Sequence, residues 1–266
     1  MKTRAVNDQT NRHRTNASAL WQLLVQVALL FSLVSVGYGD DDSPAGGFQK
    51  ITLIVVPGSS RTQAQAINSK GQIVGSYLDS AHNGHGFLRM ADGTITSFDA
   101  PGAIDTEPSA INSEGQIAGY YQDTAFNFHG FLRYKDGTLT SFDPPGSTFT
   151  IATSINSEGQ IVGVFSDSSF TYHGFLRYKD GTLTSFDAPG AFGVTSPSAI
   201  NSEGQIVGMT RFSGFLRNED GTFTVIAVPG ASLTRPNAIN SEGQVVGSYL
   251  APGGATNGAF SLSTDE

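Results

Sequence analysis

Three sets of one histidine and two aspartates stand at matching places along the chain: Asp79/His85/Asp99, Asp123/His129/Asp143 and Asp167/His173/Asp187. In each set an aspartate precedes the histidine by six residues and another follows it by fourteen. Carboxylates and neutral imidazole can ligate metal ions, and an imidazole can carry a proton near neutral pH. No nucleophile stands at a fixed spacing from these groups, so no catalytic residue is assigned. Threefold recurrence instead points to a hydrogen-bonded network that fixes loops, because buried polar groups must be paired. His85, His129, His173, Asp99, Asp143 and Asp187 are assigned to that network. Whether a metal ion binds stays open. Calcium is the one cofactor the acids could take, and no other cofactor is indicated.

Aromatic residues occupy the same stretches. Phe126, Phe128, Phe170 and Tyr172 each lie just before a histidine of these sets. They could cover the top of a core, or they could stack on a glycan or peptide. Under the second reading Asp79, Asp123 and Asp167 would accept the ligand's hydroxyl hydrogens. Arg89, Arg133, Arg177 and Arg217 recur with the pattern and are read as structural.

The elements that must hold these residues follow from the repeat. Ile-Asn-Ser-Glu/Lys-Gly-Gln begins at Ile67, Ile111, Ile155, Ile200 and Ile239, at spacings of 44, 44, 45 and 39. Gly-Phe-Leu-Arg places Phe87, Phe131, Phe175 and Phe215, with a degraded last copy at Phe260. A period of this length marks a solenoid, propeller or array. Short aromatic and apolar runs bounded by Gly, Asp, Asn and Pro read as strands. Asp136-Gly137 reads as a two-residue hairpin with both positions at positive φ. Four antiparallel strands per unit, five times over, predict an all-β five-bladed β-propeller of four-stranded blades. Residues 49–56 resemble the last strand of a unit, and the chain ends on the first three strands of one. The N-terminal segment is therefore expected to pair as the outermost strand of the fifth blade, closing the ring. Loops between second and third strands, and between units, then share one variable face, where binding usually lives. The innermost segments, at 65–67, 109–111, 153–155, 198–200 and 237–239, carry no acid, which argues against a glycosidase.

Ile-Asn-Ser-Glu-Gly-Gln-Ile-Val-Gly at 155–163, with the Phe-Leu that follows, resembles the HAF family of extracellular repeats. The likeness runs from Phe48 to Phe260. It departs from the family's His-Ala-Phe, showing His-Gly-Phe at 85–87, 129–131 and 173–175. The resemblance implies export from a bacterium and no particular activity.

Lys2, Arg4, Arg12 and Arg14 precede an apolar run from Ala19 to Val36, followed by Gly37-Tyr38-Gly39. That is the pattern of a signal peptide over 1–39, with retention as an N-terminal anchor the alternative. A linker at 40–47 and one propeller domain at 48–266 follow. Removing four basic residues and Asp8 from 15 basic and 23 acidic leaves 11 and 22, a formal charge of −11. Such a balance excludes nucleic acid as a partner. With no cysteine, neither disulfides nor thiolate chemistry is available. The expectation is a secreted, periplasmic or cell-surface monomer, with no membrane contact beyond the leader. It binds a glycan or protein surface, or serves as a scaffold, without catalysis. A glycoside-cleaving enzyme and a structural repeat protein without a small ligand are the alternatives.

Overall fold

The computed structural model describes residues 51–254 and 257–263. The leader and linker lie outside these. The chain divides into two units, Met1–Thr52 and Leu53–Glu266, and every strand belongs to the second.

Five antiparallel sheets follow one another. The first is β1 (Arg61–Ile67), β2 (Ile73–Leu78), β3 (Gly84–Arg89) and β4 (Ile95–Phe98). The second is β5 (Ala103–Ile111), β6 (Ile117–Asp123), β7 (Phe128–Arg133) and β8 (Leu139–Phe142). The third is β9 (Phe149–Ile155), β10 (Ile161–Ser166), β11 (Tyr172–Arg177) and β12 (Leu183–Phe186). The fourth is β13 (Ser196–Ile200), β14 (Ile206–Met209), β15 (Gly214–Arg217) and β16 (Phe223–Ile226). The fifth has three strands, β17 (Leu233–Ile239), β18 (Val245–Leu250) and β19 (Asn257–Leu262). Strands pair in sequence order within each sheet, and the first strand of each sheet lies against the first strand of the next. The first strands are therefore innermost.

The core is laid down between successive sheets. Val74 of sheet one packs with Ile111, Ile117 and Phe131 of sheet two. Ala118 meets Ile155, Ile161 and Phe175 in the same way, and the pattern continues through Val162 and Val207. Phe87, Phe131, Phe175 and Phe215 are wholly buried, each contributing about 1.5–3 kcal/mol of burial energy. Edge contacts join Phe98 to Phe131, Phe142 to Phe175 and Phe186 to Phe215. Arg133, Arg177 and Arg217 lie over Phe98, Phe142 and Phe186, and each donates to the carbonyl of the residue after it. The recurrent arginines thus stitch one sheet to the one before.

The His-Gly-Phe wording has a steric cause. A Cβ at Gly130 would stand 2.7 Å from the Phe142 ring, and at Gly174 2.6 Å from Phe186. Alanine cannot enter while a phenylalanine occupies the neighbouring outer strand.

Two expectations need correction. In the Asp136-Gly137 turn only the glycine has positive φ, at 94°. Asp136 instead accepts the Thr138 N–H at 2.8 Å through Oδ1, which lets an ordinary backbone close the turn. Nor does the N-terminal segment complete sheet five. Residues 51–56 form no strand, and Ile51, Leu53 and Val55 are 86%, 85% and 65% exposed. Val56 is held at the entrance to β1, where its N–H donates to Thr62 Oγ1. The pairing would have to bridge sheets one and five, and the faces that would meet stay open: Ile67 is 65% exposed and Val246 50%.

Candidate functional site

The loops after β2, β6 and β10 are built around one aspartate each. Asp79 Oδ1 accepts the N–H groups of Ala81 and Asn83 at 2.8 and 2.9 Å, and its Oδ2 accepts the Asn83 side-chain amide. Asp123 does the same with Ala125 and Asn127, and Asp167 takes the N–H groups of Ser169 and Thr171. Hydrogen bonding to the ionised form holds Asp79 down to about 2, chiefly through the Asn83 side chain. The Asn127 N–H leads the same effect on Asp123. The carboxylates expected to take a ligand's hydroxyls are thus engaged by their own turns.

The histidines complete the network. Each Nδ1 lies 2.7–2.9 Å from the aspartate that follows (Asp99, Asp143, Asp187), and each Nε2 lies 3.3–3.5 Å from the turn aspartate. The rings also rest on Tyr77, Tyr121 and Phe165 at about 5 Å. Partial burial opposes charging of His85 and His129, but the flanking carboxylates outweigh it and raise both. Sheet four replaces aspartate and histidine by Thr210 and Ser213, whose hydroxyls bond at 3.0 Å and close a shorter loop. A neutral pair thus stands where the first three sheets have a charged one. Among the described residues, no three His, Asp or Glu side chains converge so as to hold a metal ion.

The aromatic residues divide. Phe128 is half-buried against Tyr120 and Phe149 at ring distances of 6.0 and 5.3 Å. Tyr172 is half-buried, and its backbone exchanges hydrogen bonds with Gly193 and Thr195. Phe126 and Phe170, by contrast, are 70% and 71% exposed. Both also sit at positive φ, 66° and 60°, a left-handed conformation normally left to glycine. His82 takes the same position in sheet one at φ 68°.

Two further rings join this face. Phe192, 74% exposed at φ 48°, lies in the loop between sheets three and four. It contacts Phe212 edge-on at 6.3 Å, and Arg211 covers the Phe212 ring. Phe192 was missed in the sequence. Its signal was the spacing of 45 between Ile155 and Ile200, which places one extra residue in that connection.

The innermost strands are longer than the repeat revealed, and one of them is acidic. β5 begins at Ala103 and so carries Asp105 and Glu107. Burial raises both, Glu107 to about 7, against a hydrogen bond from Ser76. Asp105 Oδ1 is buried without a hydrogen-bond partner. It rests where a side chain at Gly84 would be, so any larger residue there must displace it. Arg61 on the adjacent β1 bonds to Gln63 at 2.6 Å. The expectation of acid-free inner strands fails at these two residues.

No family model matches the chain, and no curated protein matches it in sequence. Solved structures do. A TolB protein from Agrobacterium tumefaciens aligns with a TM-score of 0.57 at 12% identity, covering 77% of each chain. An inactive variant of virginiamycin B lyase from Staphylococcus aureus, solved with quinupristin, aligns at 0.52 and 16% identity, covering 80% of this chain and 74% of that one. An acylaminoacyl peptidase from Pyrococcus horikoshii aligns at 0.53 and 9%, covering 79% and 39%. At such identities the likeness shows a β-propeller-like fold and nothing of activity. Among the described residues no helix is long and apolar enough to cross a membrane.

Proposed function

We propose that the chain is an exported, non-enzymatic binding protein whose loop face recognises a neutral glycan or a peptide. The observation that carries this is the pair Phe126 and Phe170. Each holds a large ring in water at a backbone position where an L-residue costs about 1–2 kcal/mol and glycine would be unstrained. Folding alone gives no reason for that choice, and strained exposed residues concentrate at sites of contact. Phe192 and Phe212 extend the surface toward sheet four. The turn aspartates shape the loops and leave stacking to the rings. The surplus of acid on the mature chain disfavours polyanions. Five blades remain part of this reading.

The test is a glycan array and a peptide panel, run with the purified full-length chain and its Phe126→Gly/Phe170→Gly variant. Binding by the parent and its loss in the variant is the expected result. A parent that binds nothing, with or without calcium, reduces the chain to a scaffold.

Asp105 and Glu107 favour a second reading, a glycoside-cleaving enzyme. A carboxyl group that burial raises to about 7 suits a general acid beside a second carboxylate. Release of reducing sugar from polysaccharides, abolished by Glu107→Gln, would establish it in place of the first.

A further inference from the structure

We propose that the open edge of sheet five is completed by a second copy of this chain. Residues 51–54 of that copy add to β19 as its outer strand, and the exposed face of sheet five packs on the exposed face of the second copy's sheet one. This departs from the expected monomer and is independent of what the loop face binds.

The chain contains the interface four times already. At each seam a small apolar residue on a second strand packs on the sheet that follows. Val74, Ala118, Val162 and Val207 are all wholly buried there. Three of the isoleucines they meet, Ile111, Ile155 and Ile200, are 6–8% exposed, and the fourth, Ile239, is half-buried. A side-chain amide crosses each seam to a backbone carbonyl. Asn68 donates to Asn112 O at 2.9 Å, Asn112 to Asn156 O at 3.1 Å, Asn156 to Asn201 O at 3.0 Å and Asn201 to Asn240 O at 2.9 Å.

The two ends of the series are the unmatched halves of that seam. Val246 and Ile67 occupy the same places and are open to water. Among the described residues the ladder stops at Asn240, whose amide reaches only its own Gln244. On the same terms no preceding sheet donates to the Asn68 carbonyl.

The missing strand has a matching segment. Sheets one to four each end on a four-residue outer strand, and in sheet five that place is empty among the described residues. Residues 51–54 stand 44 positions before Ile95–Phe98, and among the described residues they belong to no strand. Val56 already meets sheet one as the equivalent Ala100 meets sheet two, each N–H donating to a threonine hydroxyl at 3.2 Å. An extended apolar segment and an unpaired strand edge are the two parts of strand addition. The joined surfaces differ, so the contact is head to tail and propagates to a ring or a filament.

The full-length chain has no cysteine, so engineered thiols report the contact directly. Leu88 pairs with Thr96 in sheet one, and the equivalent places across the proposed contact are Ser261 and Thr52. A mixture of Thr52→Cys and Ser261→Cys chains, mildly oxidised, is expected to give disulfide-linked dimers. Thr52→Cys mixed with Ser113→Cys, on a turn at the other end of the strands, gives none. The doubly substituted chain gives a ladder of linked oligomers. Light scattering gives a mass above the monomer that falls on dilution. Val246→Arg, half-exposed in the lone chain, returns it to the monomer with an unchanged far-ultraviolet circular dichroism spectrum. A doubly substituted chain that links within itself as a covalent monomer overturns the proposal. So does a monomeric mass at every concentration, or equal linking by the control pair.

Discussion

Replacing Phe126 and Phe170 by glycine, and separately by alanine, tests whether these rings serve contact or core. Each ring is about 70% in water, so truncation forfeits roughly a third of the ~1.5–3 kcal/mol of full burial, about 0.5–1 kcal/mol. Alanine keeps the left-handed strain and shows that loss in full. Glycine releases about 1–2 kcal/mol of strain and gives back about 0.5–1 kcal/mol in chain entropy. Glycine should therefore leave stability within about 1 kcal/mol of the parent at each site, and above alanine. Phe131→Ala removes a wholly buried ring and should cost about 3–5 kcal/mol. With about 2–4 °C per kcal/mol for a chain of this size, thermal melting separates the two cases. If the glycine variants melt below the alanine variants, the strain argument is wrong. If both fall as far as Phe131→Ala, the rings belong to the core and the binding face loses its support.

Gly130→Ala should destabilise by about 1–3 kcal/mol through overpacking, and adding Phe142→Leu should recover part of it; two additive losses in a double-mutant cycle would show that the ring is not the obstacle. Asn156→Ala removes the seam bond to the buried Asn201 carbonyl, which keeps only the Gly204 N–H, along with its own turn bonds to Gln160. Asn240→Ala removes turn bonds alone, so Asn156→Ala should cost about 0.5–1.5 kcal/mol more in dilute protein. Equal effects at the two sites would remove the ladder as a source of stability. Melting temperature against pH should peak near pH 4–4.5. Below that, Asp79 and Asp123, ordinarily at 3.8 and held near 2, lose their contribution as they protonate, and Asp167, lowered by the Thr171 N–H, follows the same direction. Above it, Glu107, ordinarily at 4.5 and raised to about 7, destabilises the fold as it ionises. The share from His85 and His129 is fully present below 6.5 and is lost as pH rises through their raised values. Glu107→Gln should shallow the slope between pH 4.5 and 6.5, leaving the part that comes from Asp105, which burial also raises; an unchanged profile would show that the burial of Glu107 has no energetic consequence.

The strands were legible because they repeat. Residues that bury the same face at the same step in every unit, such as Phe87 to Phe215 and Val74 to Val207, must recur, and recurrence is visible without coordinates. The asparagine and aspartate turns were legible for the same reason, since each closes a loop with its own side chain. The route of residues 51–56 was not. Their sequence states that they suit an outer strand, but pairing depends on which surfaces meet, and that is a property of the whole series of seams.

The candidate site was legible only where it broke the repeat in an obvious way. Phe126 and Phe170 stood out because their loops are longer than that of sheet four. Asp105 and Glu107 did not, because the upstream half of the innermost strand has no shared wording. The equivalents of Glu107 are Gln63, Ile151, Ser196 and Arg235, five different side chains at one structural position. Backbone pairing tolerates any of them there, because antiparallel hydrogen bonds come from the main chain alone. Such positions are free to diverge while the fold stays constant, and a search for self-similarity passes over them. In a repeat protein, then, the residues most open to acquiring chemistry are innermost positions that the repeat itself hides. The unpaired Asp105 oxygen stands at one of these. Glycine at 84 is what leaves room for it, so Gly84→Ala, which adds a methyl group against that carboxylate, should displace Asp105 without touching any loop.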